Sequence, residues 1–233
     1  MANPPPADET QAVRERYAHR AWAEARYSLL NPVALRERQG RQRALAARLA
    51  ELGQPLSALR LTEVGCGTGG NLLELLQMGF APEHLHGIEL LADRHAAARR
   101  VLPQATTLWL GDACVAPMVA HSQDLLLAAT VFSSLLDDAF QQRLAQAMWG
   151  WLKPGGALIW YDFTVDNPRN AHVRGVPLAR VRSLFPQGRV TARRLTLAPP
   201  LARGLCRISP RLLPLFDLPF LRTHVLAWIA KPE

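Results

Sequence analysis

Apolar and polar positions follow two periods along this chain. From Asp8 to Leu52 they recur at helical intervals: Tyr17, Trp22 and Tyr27, then a long Arg/Ala/Leu stretch that ends at Gly53 and Pro55. Asn31-Pro32 divides this region into two helices. Short apolar runs and helical patterns then alternate. Strands are predicted at 60–64, 86–89, 106–110, 124–130 and 157–161, with helices at 71–78, 92–101 and from Asp137 or Asp138 to Leu152. Such alternation predicts a parallel sheet with helices on its faces. Lys153-Pro154-Gly155-Gly156 is the turn into the fifth strand.

The last third changes character. Residues 162–176 are polar and loop-like, 178–184 read as a short helix, 190–197 as a sixth strand and 224–230 as the last. Between those two strands lies 198–222, longer than a hairpin requires. The expected fold is α/β: a Rossmann-like, seven-stranded, mostly parallel sheet whose last strand is antiparallel. Helices over 8–55 precede it and a cap is inserted at 198–222. Residues 1–7, with three consecutive prolines, are expected to be disordered, and 8–233 to form a single domain.

Composition changes this picture little. The 233 residues are 49% hydrophobic, as in an ordinary globular protein, and no run approaches the ~20 apolar residues of a membrane span. The opening residues lack the basic and apolar regions of a secretory signal, so a cytoplasmic location is expected. Cys66, Cys114 and Cys206 are too scattered for a zinc or redox motif, and no metal site is expected. The net charge of +8 invites an anionic partner. All but Lys153 and Lys231 of its cations are arginines spread along the chain, which a compositional bias also explains.

Chemistry concentrates at Glu63-Val64-Gly65-Cys66-Gly67-Thr68-Gly69-Gly70-Asn71, between a strand and a helix. Glycines there let the backbone turn tightly and approach a ligand closely. Gly65, Gly67 and Gly70 alone also satisfy the dinucleotide pattern G-x-G-x-x-G. Glu89, 20 residues after Gly69, is placed to accept from ribose hydroxyls. Asp112, after Gly111 at the end of the third strand, suits the adenine amino group. Glu63 suits an α-amino group and would repel a pyrophosphate, for which the loop supplies no cation. A nicotinamide enzyme would also want a Tyr-x-x-x-Lys pair, whereas the tyrosines are Tyr17, Tyr27 and Tyr161, and position 165 is Val165.

Glu63 to Gly69, Glu89, Gly111-Asp112, Asp124-Leu125-Leu126 and Leu152 to Gly156 resemble the successive motifs of Rossmann-fold S-adenosylmethionine-dependent methyltransferases, in that family's order, over residues 60–162. The resemblance implies S-adenosylmethionine as cofactor. Glu63, Gly65 and Gly67 would hold its methionine part, with Cys66 between them in the loop, Glu89 its ribose and Asp112 its adenine. Thr130 would lie beside the methionine part through its backbone. Tyr27, in Arg26-Tyr27-Ser28-Leu29-Leu30-Asn31, would fold over the cofactor as a lid; helix packing is the alternative for Tyr17, Trp22 and Tyr27.

The acceptor is narrowed by absences. Ala129-Thr130-Val131-Phe132 is not the Asn/Asp-Pro-Pro-aromatic tetrapeptide of many nucleic-acid amino methylases, and the Pro-Cys nucleophile of cytosine methylation is missing. Aromatics are 7% of the chain, thin for stacking on single strands, so nucleic acid is not expected. The polar run from Trp160 to Pro177 lies where acceptors bind on an α/β sheet. Asp162 and His172 are the candidate bases there. Asn167, Arg169, Asn170 and Arg174, with His224 from the last strand, are candidates for binding a polyhydroxylated acceptor. The run also resembles methyltransferases associated with bacterial polysaccharide and specialised-metabolite pathways, which implies a glycan, glycolipid or small-molecule hydroxyl. Structural readings stand beside these: Asp162 as a turn cap, Asn167-Pro168 as an ordinary turn, His224 as a satisfied histidine. A methyltransferase of quinones, phenols or nucleic acid, and a non-catalytic S-adenosylmethionine-binding or partner-binding protein, remain alternatives.

In 198–222, Leu201, Leu205, Ile208 and Leu212 recur at helical spacing, with Arg203, Arg207 and Arg211 on another face. Pro210, Pro214 and Pro219 keep its helices short. Two readings follow: a cap packed on the sheet, or a basic, apolar face for peripheral contact with an anionic membrane and a lipid-linked acceptor.

Overall fold

The computed structural model describes residues 9–18, 28–166 and 170–233; the disorder expected for 1–7 falls outside them. Among the described residues, the helices α1 (Glu9–Ala18) and α2 (Pro32–Ala50) come first. Asn31 begins α2 as the sequence requires. Its side-chain oxygen accepts from Val33 N–H at 2.9 Å, and Pro32 occupies the first turn, where no intrahelical N–H is needed.

The sheet is built from β1 (Leu61–Val64), β2 (Leu85–Glu89), β3 (Thr107–Leu110), β4 (Gln123–Ala129), β5 (Leu152–Phe163), β6 (Arg189–Leu197) and β7 (Arg222–Ala230) in the order β3-β2-β1-β4-β5-β7-β6. β1 to β5 pair in parallel, and β7 runs antiparallel between β5 and β6. β6 thus points the same way as β5. The helices α3 (Gly70–Gln77), α4 (Ala92–Val101), α5 (Asp138–Trp151) and α6 (Leu178–Leu184) connect the strands.

Strict alternation along β4 and β5 divides the interior in two. Leu126, Ala128, Leu158 and Trp160 enter one core with α5 and α6. Leu125, Leu127, Ala157 and Ile159 enter the other with Leu45 and Leu49 of α2 and Leu72 and Leu75 of α3. Burial on both faces explains why these strands read as continuous apolar runs. Each fully buried leucine or phenylalanine contributes roughly 1.5–3 kcal/mol.

Boundaries shift by a residue at most ends. Two expectations need larger correction. β5 begins at Leu152, which pairs with Gln123 before a register shift, so the Lys153–Gly156 turn lies inside the strand's span. In the cap, α7 (Pro199–Ile208) buries Ala202 and Leu205 against Val33, Leu197 and Leu213. Leu201 and Leu212 pack on this cluster, but Ile208 is 79% exposed. The apolar arc is wider than the surface that receives it, and the helix ends at extended Ser209 before Pro210. A short α8 (Leu213–Phe216) and a single turn at Pro219–Leu221 return the chain to β7. Because β6 ends and β7 starts at the carboxyl edge of the parallel strands, the cap stands at that edge.

Candidate functional site

Gly65, Gly67 and Gly69 all have positive φ (67°, 56° and 85°), which carries the chain from β1 into the first turn of α3. A Cβ on Gly65 would come within 2.7 Å of Val131 Cγ2. A Cβ on Gly67 would meet no protein atom within 4 Å, so the loop opens there onto free space. Beside the loop, and bordered by Gly65, runs a cleft of about 130 Å³ along the ends of β1, β2 and β4, with Thr10, Val13 and Tyr17 of α1 on its other side. Gly65, Glu89, Asp112 and Thr130 all line it.

The three predicted carboxylates have different surroundings. Glu89 Oε2 accepts from Gly67 N–H at 2.7 Å and its Oε1 from Leu91 N–H at 2.9 Å. A carboxylate has about four acceptor positions, so ribose hydroxyls still find two. Asp112 Oδ1 accepts from Cys114 N–H at 2.8 Å, which fixes the residue at the head of a tight turn. Glu63 is fully buried; its Oε1 accepts from Asn71 Nδ2 at 2.5 Å, while its Oε2 has no partner. Burial holds the Glu63 carboxyl up at about 8, although Asn71 and Arg41 pull it down. An unpaired buried carboxyl oxygen behind a glycine cradle is what an α-ammonium group would complete.

Thr130 closes the opposite wall at φ 57°, an outlier for a β-branched residue, with its N–H donating to Tyr161 O at 2.7 Å. Cys66 shares only its backbone with the loop. Its side chain is buried in the core with Leu72 and Leu75, and burial raises its thiol well above the usual range.

The predicted acceptor residues that the structure describes have dissimilar surroundings. Asp162 is 2% exposed, and its two oxygens accept from Ser133 and Phe163 N–H at 3.0 Å each. Burial holds its carboxyl up at about 7, against the pull of those bonds. It anchors the Phe132–Ser134 turn next to Thr130 and does not line the cleft. His172 is exposed on a turn closed by Asn170 Oδ1, which accepts its N–H at 3.1 Å. Arg174 pairs with Asp138. His224 stacks on Tyr161 with ring centroids 5.3 Å apart, and burial, reinforced by Arg41, lowers its imidazole to about 4. It is a neutral, packed histidine. Tyr27, Asn167 and Arg169 lie outside the described residues.

Two features escaped the sequence reading. Arg41 of α2 reaches α3: its Nη2 donates to Asn71 Oδ1 at 2.6 Å and lies 3.6 Å from Glu74. A guanidinium therefore stands one side chain away from Glu63. Only the packing of α2 on α3 reveals this, since Arg41 is one of many arginines in a helical pattern. The second feature is a cavity of about 220 Å³ at the carboxyl edge, walled by α2, the end of β6, the start of β7 and the cap. Glu37, Gly40, Arg43, Arg193 and Thr196 line it. Tyr161 packs with Ala44 and Leu195 of its wall, and with Ala129 of the first cleft. One layer of side chains thus separates the two spaces.

Residues 62–156, less than half of the chain, match a family model described as a methyltransferase domain. No curated protein matches the sequence. Among solved structures, a SAM-dependent methyltransferase from Archaeoglobus fulgidus is similar at 14% identity and a TM-score of 0.59, covering 84% of this chain and 98% of that one. An S-adenosylmethionine-dependent methyltransferase from Mesorhizobium loti has 15% identity and a TM-score of 0.56, covering 74% and 91%. Phosphoethanolamine N-methyltransferase 2 of Haemonchus contortus, in complex with S-adenosyl-L-methionine, has 16% identity and a TM-score of 0.55 over 75% of this chain and 49% of its own. The chain thus has the α/β fold of S-adenosylmethionine-dependent methyltransferases, with a methyltransferase-domain match that begins at the glycine loop and includes Glu63, Glu89 and Asp112.

Proposed function

We propose that this protein is an S-adenosylmethionine-dependent methyltransferase acting on a hydroxyl of a small-molecule, glycan or glycolipid acceptor. The observation that carries the cofactor reading is the buried, half-satisfied Glu63 behind the glycine loop, whose Gly65 lines one cleft with Glu89 and Asp112. In this reading Glu63, together with the Gly65 and Gly67 backbone, receives the α-ammonium end. Arg41 and Asn71 balance the charge there, Glu89 accepts from the ribose hydroxyls and Asp112 from the adenine amino group. The group so held would supply a methyl on a positively charged sulfur, for which no protein nucleophile is required.

What the chain itself must do is align the acceptor, exclude water and take up a hydroxyl proton. Asp162, with both oxygens occupied, serves in this reading as a positioning residue for the turn beside Thr130. Peripheral membrane contact through the cap is part of the proposal. Leu30, Ile208, Leu215 and Phe220 are 70–95% exposed around the cap cluster, with Arg203, Arg207 and Arg211 exposed among them. Among the described residues no helix is long and apolar enough to cross a membrane.

Calorimetry with S-adenosylmethionine and with NAD, followed by a methyl-transfer screen against sugar, phenol and tRNA acceptors, tests this function. Roughly micromolar S-adenosylmethionine binding, about −8 kcal/mol, is expected, with turnover on a hydroxyl acceptor. Binding without turnover on any acceptor would favour a non-catalytic cofactor-binding protein.

A further inference from the structure

In the proposed function Glu63 receives the ammonium end of the cofactor. The α-carboxylate hangs from the same carbon, so it comes to rest beside whatever group adjoins Glu63. Glu63 and Glu74 are both buried nearby, and a further carboxylate among them requires a cation. The glycine loop supplies none.

What adjoins Glu63 is Asn71, in the first turn of α3, and Asn71 in turn holds Arg41. Asn71 Nδ2 donates to Glu63 Oε1 at 2.5 Å, and its Oδ1 accepts from Arg41 Nη2 at 2.6 Å. A guanidinium carries five N–H donors. Arg41 Nε and Nη1 make no hydrogen bond among the described residues, and neither is sealed from solvent. The side chain is 23% exposed.

Charge points the same way. Glu74 is shared between Arg38 and Arg41, so this cluster holds one positive charge in excess while Glu63 keeps its proton. When Glu63 ionises against an ammonium group those two charges cancel, and the excess persists. A carboxylate on Arg41 brings the balance to zero. Gly69, at φ 85°, leaves the first turn of α3 without a side-chain cap, and a Cβ on Gly70 would meet no protein atom within 4 Å. Open space thus adjoins a helix start whose N–H groups and partial positive charge favour an anion.

We infer that Arg41 reads the α-carboxylate of the cofactor and, with Glu63, restricts the site to ligands that carry an intact amino-acid group. One of its free N–H groups donates to the carboxylate, while Nη2 keeps its bond to Asn71. The inference rests on the methyltransferase reading of this site and adds the group by which the site selects its cofactor.

Calorimetry on the full chain with three ligands tests it. They are S-adenosylmethionine, S-adenosylhomocysteine and decarboxylated S-adenosylmethionine, which keeps the ammonium and the sulfonium but has no carboxylate. The wild-type protein should bind the two intact ligands at least tenfold more tightly than the decarboxylated one. Arg41→Gln should weaken both intact ligands about tenfold to a hundredfold, the range of a charge-assisted hydrogen bond, and leave the decarboxylated one within about threefold. Arg41→Lys, which keeps the charge, should recover part of that loss. If Arg41 merely props Asn71 and Glu74, its replacement weakens all three ligands alike; that result overturns the inference. So does a wild-type protein indifferent to the carboxylate, a comparison that holds even if Arg41→Gln melts early. The two readings fail differently. Binding of none of the three ligands refutes the cofactor reading and the role of Arg41 with it, whereas S-adenosylmethionine binding without preference refutes the carboxylate site alone.

Discussion

Cofactor binding should release a proton from Glu63, and its pH dependence should show this. In the free protein, burial holds the Glu63 carboxyl at about 8, so near neutrality it is mostly protonated. An ammonium group arriving at Oε2 favours the ionised form. At about 4 Å and an effective dielectric near 20 such a pair gains about 4 kcal/mol. Deprotonating Glu63 at pH 7, one unit below its value, costs only about 1.4 kcal/mol. The attraction wins, and the bound state carries the carboxylate.

Linkage then fixes the sign. Below pH 8 the proton must leave before the ion pair forms, so affinity rises with pH by about tenfold per unit. Between pH 6.0 and 7.5 the Kd for S-adenosylmethionine should fall about twentyfold, or about 1.8 kcal/mol, the slope flattening as pH nears 8. Calorimetry at pH 7 in buffers of different ionisation heat should return close to one proton released per cofactor bound. Asp162 and Glu37 also titrate near 7; Asp162 is bonded to the Ser133 and Phe163 N–H groups, and Glu37 lines the second cavity. Glu63→Gln should abolish both the proton release and most of the pH dependence. A Kd flat from pH 6.0 to 7.5 without proton release would show that Glu63 does not receive the ammonium group.

Two further outcomes are expected. Gly67→Ala should lower S-adenosylmethionine affinity at least tenfold for a stability loss of only about 1–2 kcal/mol, because its Cβ would occupy the free space beside the loop in which the cofactor is proposed to lie. Gly65→Ala, driven against Val131, should lower the melting temperature further; equal melts for the two would refute the loop geometry. In a vesicle-flotation assay the protein should float with phosphatidylglycerol and not with phosphatidylcholine, less so in 0.5 M salt, and lose binding when Ile208, Leu215 and Phe220 become serine. No flotation at low salt would leave the cap as a packed lid only.

Local physics made much of this protein legible from its residues. The alternation of short apolar runs with helical patterns gave the seven strands and their parallel core, since a strand buried on both faces must be apolar at every position. Asn31-Pro32 marked the start of α2 because capping is decided within three residues. Glu63, the glycines, Glu89 and Asp112 could be proposed as a site from the sequence because a tight turn after a strand demands glycine, and because chain distance alone puts each acid at or just past a strand end.

Tertiary packing decided the rest. Asp162 reads as a base, yet the turn at Ser133, 29 residues earlier in the chain, takes one of its oxygens and its own strand neighbour Phe163 the other. His172 reads as a site residue, yet its turn leaves it facing solvent. Ile208 fits a helical stripe, but which arc of α7 is buried depends on where Val33 and Leu197 lie. Arg41, Glu37 and Gly40 are unremarkable within a run of arginines and alanines. Arg41 meets Asn71, and the other two line a cavity, only because α2 lies across α3 and the end of β6. Such contacts join residues far apart in the chain, and no local preference of the backbone or spacing of apolar positions encodes which partner a long polar side chain will meet.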